Sequence, residues 1–261
     1  MRKVGGSPEV LHTDVKIGCK ISTDSCSGTL GGFVEHENKT MAITCAHVIL
    51  DDIELDRIKH NPRRAPRNKC CYQPSSRDSD MIGRLNRATY NKDIDVAFVE
   101  LAQSRLPTQG VFPDVKNKIE CNNPCNHCYG IANKLSYNTG EVLCPQDVTN
   151  ESVIIKYGYK TGFTRGRIRR QSTFAIFGTH EMQNQIEVVS DDSFPFSEKG
   201  DSGSLVLSVD GNKQVKALGI LVGGTPRRDF VTPITEILKS IGRQKPYFLK
   251  PFDPAMQYLK K

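Results

Sequence analysis

Short apolar runs broken by glycine- and charge-rich turns constrain this chain more than any other feature. "GTLGGFVEH" (28–36), "KTMAITCAHVI" (39–49), "DIDVAFVEL" (93–101), "SVIIKYG" (152–158), "QIEVVS" (185–190), "GSLVLSV" (203–209) and "VKALGILVGG" (215–224) carry period-two alternation or β-rich apolar character and read as strands. "HENKT" (36–40) and "VDGNKQ" (209–214) are turn-like and flanked by strands, so both read as hairpins. Many short strands with glycine-rich turns imply an all-β sandwich or barrels. One segment reads firmly as a helix: "TPITEILKSIG" (232–242) places Ile234, Ile237, Leu238 and Ile241 on one face, with Thr232 as N-cap, Pro233 in the first turn and Gly242 closing it. A tail with three prolines follows.

The 261 residues suffice for one large all-β domain or two modest ones with a sizeable core. No run approaches the ~18 apolar residues that span a bilayer. The opening "MRKVGGSPEV" lacks the apolar stretch of a signal peptide. The expectation is a cytoplasmic protein without membrane contact, or a domain flanked by others in a longer chain. Nine cysteines, an odd count, fit reduced thiols better than a secreted disulfide framework. The net charge of +7 collects in "NPRRAPRNK" (61–69), "RGRIRR" (165–170) and Arg227–Arg228. These clusters are short and have no interleaved aromatic residues, so nucleic acid is disfavoured and solvated loops are the simpler reading.

"KGDSGSLVL" (199–207) sets Ser202 between glycines ahead of an apolar run. A serine hydroxyl is a weak nucleophile and needs a base within reach, itself oriented by a third group. His47 in "TCAHV" leaves the end of an apolar strand, and Asp95 in "NKDIDVAFVEL" enters another. Taken singly, each has a plain structural reading: a satisfied imidazole, a turn or cap aspartate, a strand-initiating serine. Asp93 competes for any role given to Asp95.

Taken together, the order His47, Asp95, Ser202 is the order of chymotrypsin-type enzymes. With "GTLGGFV", "TCAHV", "DIDVAFVEL", "KGDSGSLVL" and "GILVGG" spread in the family's order between residues 28 and 224, the sequence resembles the chymotrypsin/trypsin-like serine peptidases. The resemblance implies two six-stranded antiparallel β-barrels with a C-terminal helix: residues 1–110 carrying His47 and Asp95, residues 111–242 carrying Ser202, and a tail over 243–261. "QSRLPTQGVFPDV" (103–115) is the expected linker. It implies a serine endopeptidase in which Ser202 attacks, His47 shuttles the proton and Asp95 holds the imidazole. The amides of Gly200 and Ser202 would meet the oxyanion, and Asp201 would brace the loop from inside through an internal donor. Residues 194–199 and 221–225 would line the substrate pocket, with Phe196, Lys199, Val222, Gly223 and Gly224 as contacts.

Phe196 falls where trypsins carry an aspartate, so a basic cleavage-site preference is not expected. Lys199, Arg227 and Arg228 point weakly to acidic substrate residues, although solvated loop charges explain them equally well. Secreted trypsins carry a disulfide around the histidine; here Cys45 precedes His47 but Val48 follows it, and no cysteine flanks the serine loop, which places the resemblance with disulfide-poor intracellular or bacterial branches. No cofactor is expected. Cys121, Cys125 and Cys128, with Cys144, could hold a structural zinc, but free thiols or a local disulfide are the favoured reading. The expected partner is a protein or peptide substrate. The competing function is a catalytically silent barrel pair that serves as a binding or scaffold module.

Overall fold

A computed structural model describes residues 7–66, 69–75, 80–113, 136–148, 152–178, 180–191, 194–210, 214–225, 227–242 and 249–252. Two antiparallel sheets dominate. The first contains β1 (Lys20–Ser22), β2 (Ser27–Thr29), β3 (Gly32–His36), β4 (Lys39–Thr44), β5 (Cys70–Tyr72), β6 (Met81–Tyr90) and β7 (Asp95–Leu101). Its spatial order is β2-β1-β5-β6-β7-β4-β3. The two edge strands are consecutive in the chain. Leu30 N–H donates to Cys19 O on the β1 side, and Gly31 N–H donates to Ile43 O on the β4 side. β2 and β3 therefore act as one strand bent at Leu30–Gly31, and the sheet curls into a ring of six. A side chain at Gly31 would strike Gly203 O at 2.3 Å, so the bend needs glycine.

The second sheet is a closed barrel, β10-β13-β12-β11-β8-β9. Its strands are β8 (Val153–Gly158), β9 (Gly162–Phe177), β10 (His180–Ser190), β11 (Leu205–Val209), β12 (Val215–Thr225) and β13 (Arg228–Pro233). The all-β, two-barrel expectation holds. The 36–40 hairpin closes through Glu37 and Asn38 at φ 50° and 60°, the mirror-type turn that suits strand twist.

Two local readings need correction. The run 39–49 is not one strand: β4 ends at Thr44, and a single helical turn, α1 (Ala46–Ile49), carries His47. The side chain of Asp95 supplies the reason, since it accepts the Ala46 and His47 amides at 2.6 and 3.3 Å and turns the backbone out of the sheet. The C-terminal helix is α3 (Ile234–Ser240), and its N-cap is Pro233. Thr232 belongs to β13, where its hydroxyl donates to Gln185 Oε1 at 2.8 Å. Gly242, at φ 77°, follows the helix as expected. The helix α2 (Asp52–His60) is an addition, opened by a capping box between Asp51 and Glu54.

One apolar cluster joins Phe33, Ile43 and Phe98 of the first sheet with Leu205, Leu207 and Ile220 of the second and Ile234, Ile237 and Leu238 of α3. The opposite face of β11 sends Val206 into the barrel interior with Ile154, Val188, Leu218 and Val231. Both faces of β11 are thus buried, which is why "SLVLSV" reads as a continuous apolar run. Among the described residues, no helix is long and apolar enough to cross a membrane, and Cys19, Cys26, Cys45, Cys70, Cys71 and Cys144 are free thiols. Cys121, Cys125 and Cys128 lie outside the described residues, as does most of the tail.

Candidate active site

A cleft of about 910 Å³ is lined by His47 of α1 and Asp95 of β7 on one side and by Lys199 and Ser202 of the loop before β11 and residues 222–225 of β12 on the other. The three residues that the sequence singles out for chemistry thus share one cavity. His47 Nδ1 lies 2.5 Å from Asp95 Oδ2. Asp95 is almost fully buried, and its other oxygen is held by the two α1 amides, so the carboxylate is fixed by three contacts. Asp93 is elsewhere: its carboxylate accepts from Asn184 Nδ2 at 2.9 Å. Burial pulls the His47 pKa down, but the charge of Asp95 and its hydrogen bond outweigh this, and the net shift is upward.

The serine loop is a tight turn. Gly200 and Gly203 sit at φ 114° and 92°, in the left-handed half of backbone space. A Cβ at Gly200 would meet the Tyr159 hydroxyl at 2.6 Å, and one at Gly203 would meet Thr44 Oγ1 at 2.2 Å. Asp201 points inward and is fully buried. Lys156 Nζ lies 3.3 Å from its carboxylate. The Thr161 hydroxyl donates to it at 2.6 Å, and the amides of Lys160, Thr161 and Glu198 donate at 2.9 to 3.2 Å. Among the described residues the amides of Gly200 and Ser202 have no acceptor, whereas their carbonyls are taken by Thr29, the first by its hydroxyl at 3.0 Å and the second by its amide at 2.8 Å. The turn therefore faces its carbonyls inward and leaves two donors unused beside Ser202.

The expected pocket residues divide. Gly223 and Gly224 line the cleft on β12, and Val222 beside them is mostly buried. Among the described residues, β12 past Leu221 is bonded only to β13, through Gly223↔Phe230 and Gly224↔Asp229, and no described strand pairs with its other edge. Lys199 is exposed on the lining. Phe196 reaches the cleft wall only with its back: it has no exposed surface and packs against Ile154, Val188 and Val231. Its position on an apolar barrel interior, not its place before the serine loop, decides that orientation.

Several lining residues fall outside the set that the sequence nominates, among them Tyr90, His180 and Asp229, whereas Ser197 belongs to the expected 194–199 stretch. Tyr90 stacks on His180 with ring centroids 4.1 Å apart, and Ser197 donates its hydroxyl to Asp229 Oδ1. Tyr90, His180 and Asp229 have no local pattern that separates them from surface polar residues. Tyr90 comes from the end of β6, His180 from the start of β10 and Asp229 from β13, so strands distant in the chain assemble them.

The ligand-type atoms of Cys45, His47 and Asp95 lie within 4.8 Å of one another, the single such group among the described residues. The thiol of Cys45 is buried and donates to Leu221 O at 3.2 Å, and burial followed by the Asp95 charge raises its pKa well above the ordinary thiol value. As a buried neutral thiol it packs between the two sheets. Cys144 is half-buried at a short 3-10 turn, away from this cleft.

No family model matches the sequence, and no curated protein matches it. Solved structures do. Thermobifida fusca protease A is 16% identical with a TM-score of 0.57, over 88% of this chain and 96% of that one. An α-lytic protease homologue, N4, is 14% identical with a TM-score of 0.58, over 88% and 97%. Cellulomonas bogoriensis chymotrypsin is 17% identical with a TM-score of 0.56, over 88% and 96%. At these identities the likeness carries architecture, and the chain has the two-barrel fold of the chymotrypsin/trypsin-like serine proteases.

Proposed function

We propose that this protein is a serine endopeptidase. The observation that carries the reading is the His47–Asp95 contact of 2.5 Å opening into the cleft that Ser202 lines. In this reading Ser202 Oγ attacks the peptide carbonyl while His47 Nε2 takes its proton. Asp95 fixes the tautomer with the proton on Nδ1 and stabilises the imidazolium that forms. The oxyanion of the tetrahedral intermediate is met by the free amides of Gly200 and Ser202. His47 then delivers the proton to the leaving amine, and water attacks the acyl-enzyme by the same route in reverse.

The open edge of residues 222–225 suits an extended protein or peptide substrate, which would add to β12 as a strand. Nucleic acid has less support. Arg165 and Arg167 pair with Asp191, and Arg169 and Arg228 pair with Glu187, so four of the clustered arginines are already matched by carboxylates.

A fluorophosphonate probe tests the reading. Covalent labelling is expected for the wild type and none for Ser202→Ala, alongside hydrolysis of a casein substrate that the variant does not show. Folded wild-type protein that neither labels nor hydrolyses at neutral pH would instead make the chain a silent binding module.

A further inference from the structure

Asp229 lies on β13 opposite Gly224 of β12 and Val188 of β10. Its side chain is buried, yet it lines the same cleft as Ser202. The only hydrogen bond to its carboxylate among the described residues comes from the Ser197 hydroxyl, a neutral donor. The cations nearby are committed elsewhere: Lys156 to Asp201 at 3.3 Å, and Arg228 to Glu187 at 3.5 Å. A carboxylate taken out of water with one neutral donor and no ion pair is poorly compensated. Burial accordingly pushes its pKa up to about 6, against the opposing pull of Ser197 and Lys156.

The approach to this carboxylate is open because of glycine. A Cβ at Gly224 would stand 2.5 Å from Asp229 Oδ1 and would cover it. Phe177, Phe194, Val222 and Gly223 line the same cleft. The cleft therefore offers apolar side chains together with a buried carboxylate that has no cationic partner among the described residues. That arrangement complements a long aliphatic stem with a cationic tip, which buries its methylenes and brings the missing counter-charge.

We infer that Asp229 is the specificity-determining residue of this cleft and selects substrates with lysine or arginine on the acyl side of the cleaved bond. The inference rests on the endopeptidase reading. It reverses the sequence expectation, which looked for an acid at Phe196 and weighed Lys199, Arg227 and Arg228 toward acidic substrates. Phe196 is core, and Arg228 is paired. Lys199 and Arg227 are exposed, where water and salt screen them, whereas Asp229 acts from a low-dielectric position.

The test uses matched fluorogenic peptides that differ only at the residue before the cleaved bond: Arg, Lys, Phe, Ala or Glu. For the wild type, kcat/KM on Arg and Lys should exceed that on Ala and Glu by about tenfold or more. In Asp229→Asn, which keeps the shape and an acceptor for Ser197, the Arg-to-Phe ratio should fall by about tenfold. A wild-type preference for Glu, or an unchanged ratio in the variant, overturns the assignment, and the wild-type panel decides alone if Asp229→Asn does not fold. Benzamidine binding to Ser202→Ala, measured by calorimetry, separates the two readings. Binding that weakens on adding Asp229→Asn, while the wild type cleaves none of the peptides, sinks the peptidase reading but keeps the cation pocket. Binding indifferent to Asp229 sinks the pocket.

Discussion

His47 is pulled in two directions, and the balance sets a measurable quantity. Burial favours the neutral imidazole, while the Asp95 carboxylate at 2.5 Å favours the cation, and the second effect prevails. A general base must be neutral, so raising its pKa moves the active range to higher pH. The ascending limb of kcat/KM against pH should therefore have an apparent pKa above the ordinary imidazole value of 6.5. Asp95→Asn removes the charge that raises it and favours the wrong tautomer. Its limb should shift to lower pH and its kcat should drop by about 10⁴-fold, the magnitude known for the equivalent change in chymotrypsin-type enzymes. A variant profile that overlays the wild type would remove His47 from the base role. At this scale, legibility depended on order. His47, Asp95 and Ser202 are commonplace singly and were readable because their sequence order matches a known arrangement. Asp229 sits in "RRDF" among arginines and was not readable, because its burial comes from strands distant in the chain.

The element that carries Ser202 is a turn braced from behind by a buried ion pair. Lys156 on β8 and Asp201 in the turn are both fully shielded from water. Replacing one partner of such a pair strands the other charge and costs about 3–5 kcal/mol. Lys156→Met should lower the denaturation midpoint accordingly and slow fluorophosphonate labelling, since the turn that aims the Gly200 and Ser202 amides loses its anchor. Labelling at the wild-type rate would show that Thr161 and the three amides suffice to hold Asp201. Gly203→Ala attacks the same turn differently. It forces φ 92° on a residue with a Cβ and drives that atom onto Thr44 Oγ1 and Thr29 O. Strain of this kind costs about 1–3 kcal/mol before the overlap is counted, and chemical denaturation would measure it. The sequence made the buried elements visible and left the exposed ones obscure. β4, β7, β8, β11 and β12 pack apolar side chains and show it. β9 (Gly162–Phe177) is largely exposed and arginine-rich, so it carries no apolar alternation along most of its length. α2 has only Leu55 and Ile58 buried, and its signal was the Asp51-x-x-Glu54 capping box and not its periodicity.

Across the molecule, the two barrels are joined by shared apolar packing and by hydrogen bonds, several of which converge on one threonine. Thr29 is fully buried in the first sheet. Its amide donates to Ser202 O, its hydroxyl donates to Gly200 O and accepts the Tyr159 amide, and its carbonyl accepts from Thr44. The first sheet thus holds the carbonyls of the serine turn that the second barrel presents. The apolar cluster crosses the same boundary, with Phe33, Ile43 and Phe98 in contact with the group that contains Leu205, Leu207, Ile220 and α3. Neither barrel can lose this packing without exposing the other's share of it. Thermal unfolding should accordingly be a single transition with equal calorimetric and van't Hoff enthalpies. Thr29→Val keeps the volume and removes the hydroxyl, leaving Gly200 O and the Tyr159 amide short of a partner at about 1–3 kcal/mol each. Because Thr29 ties the barrels together, the variant should melt earlier but still in one step, and its kcat should fall with little change in KM. Two separated transitions in the wild type, or in the variant, would mean that the barrels fold independently and that the cleft is assembled by docking alone.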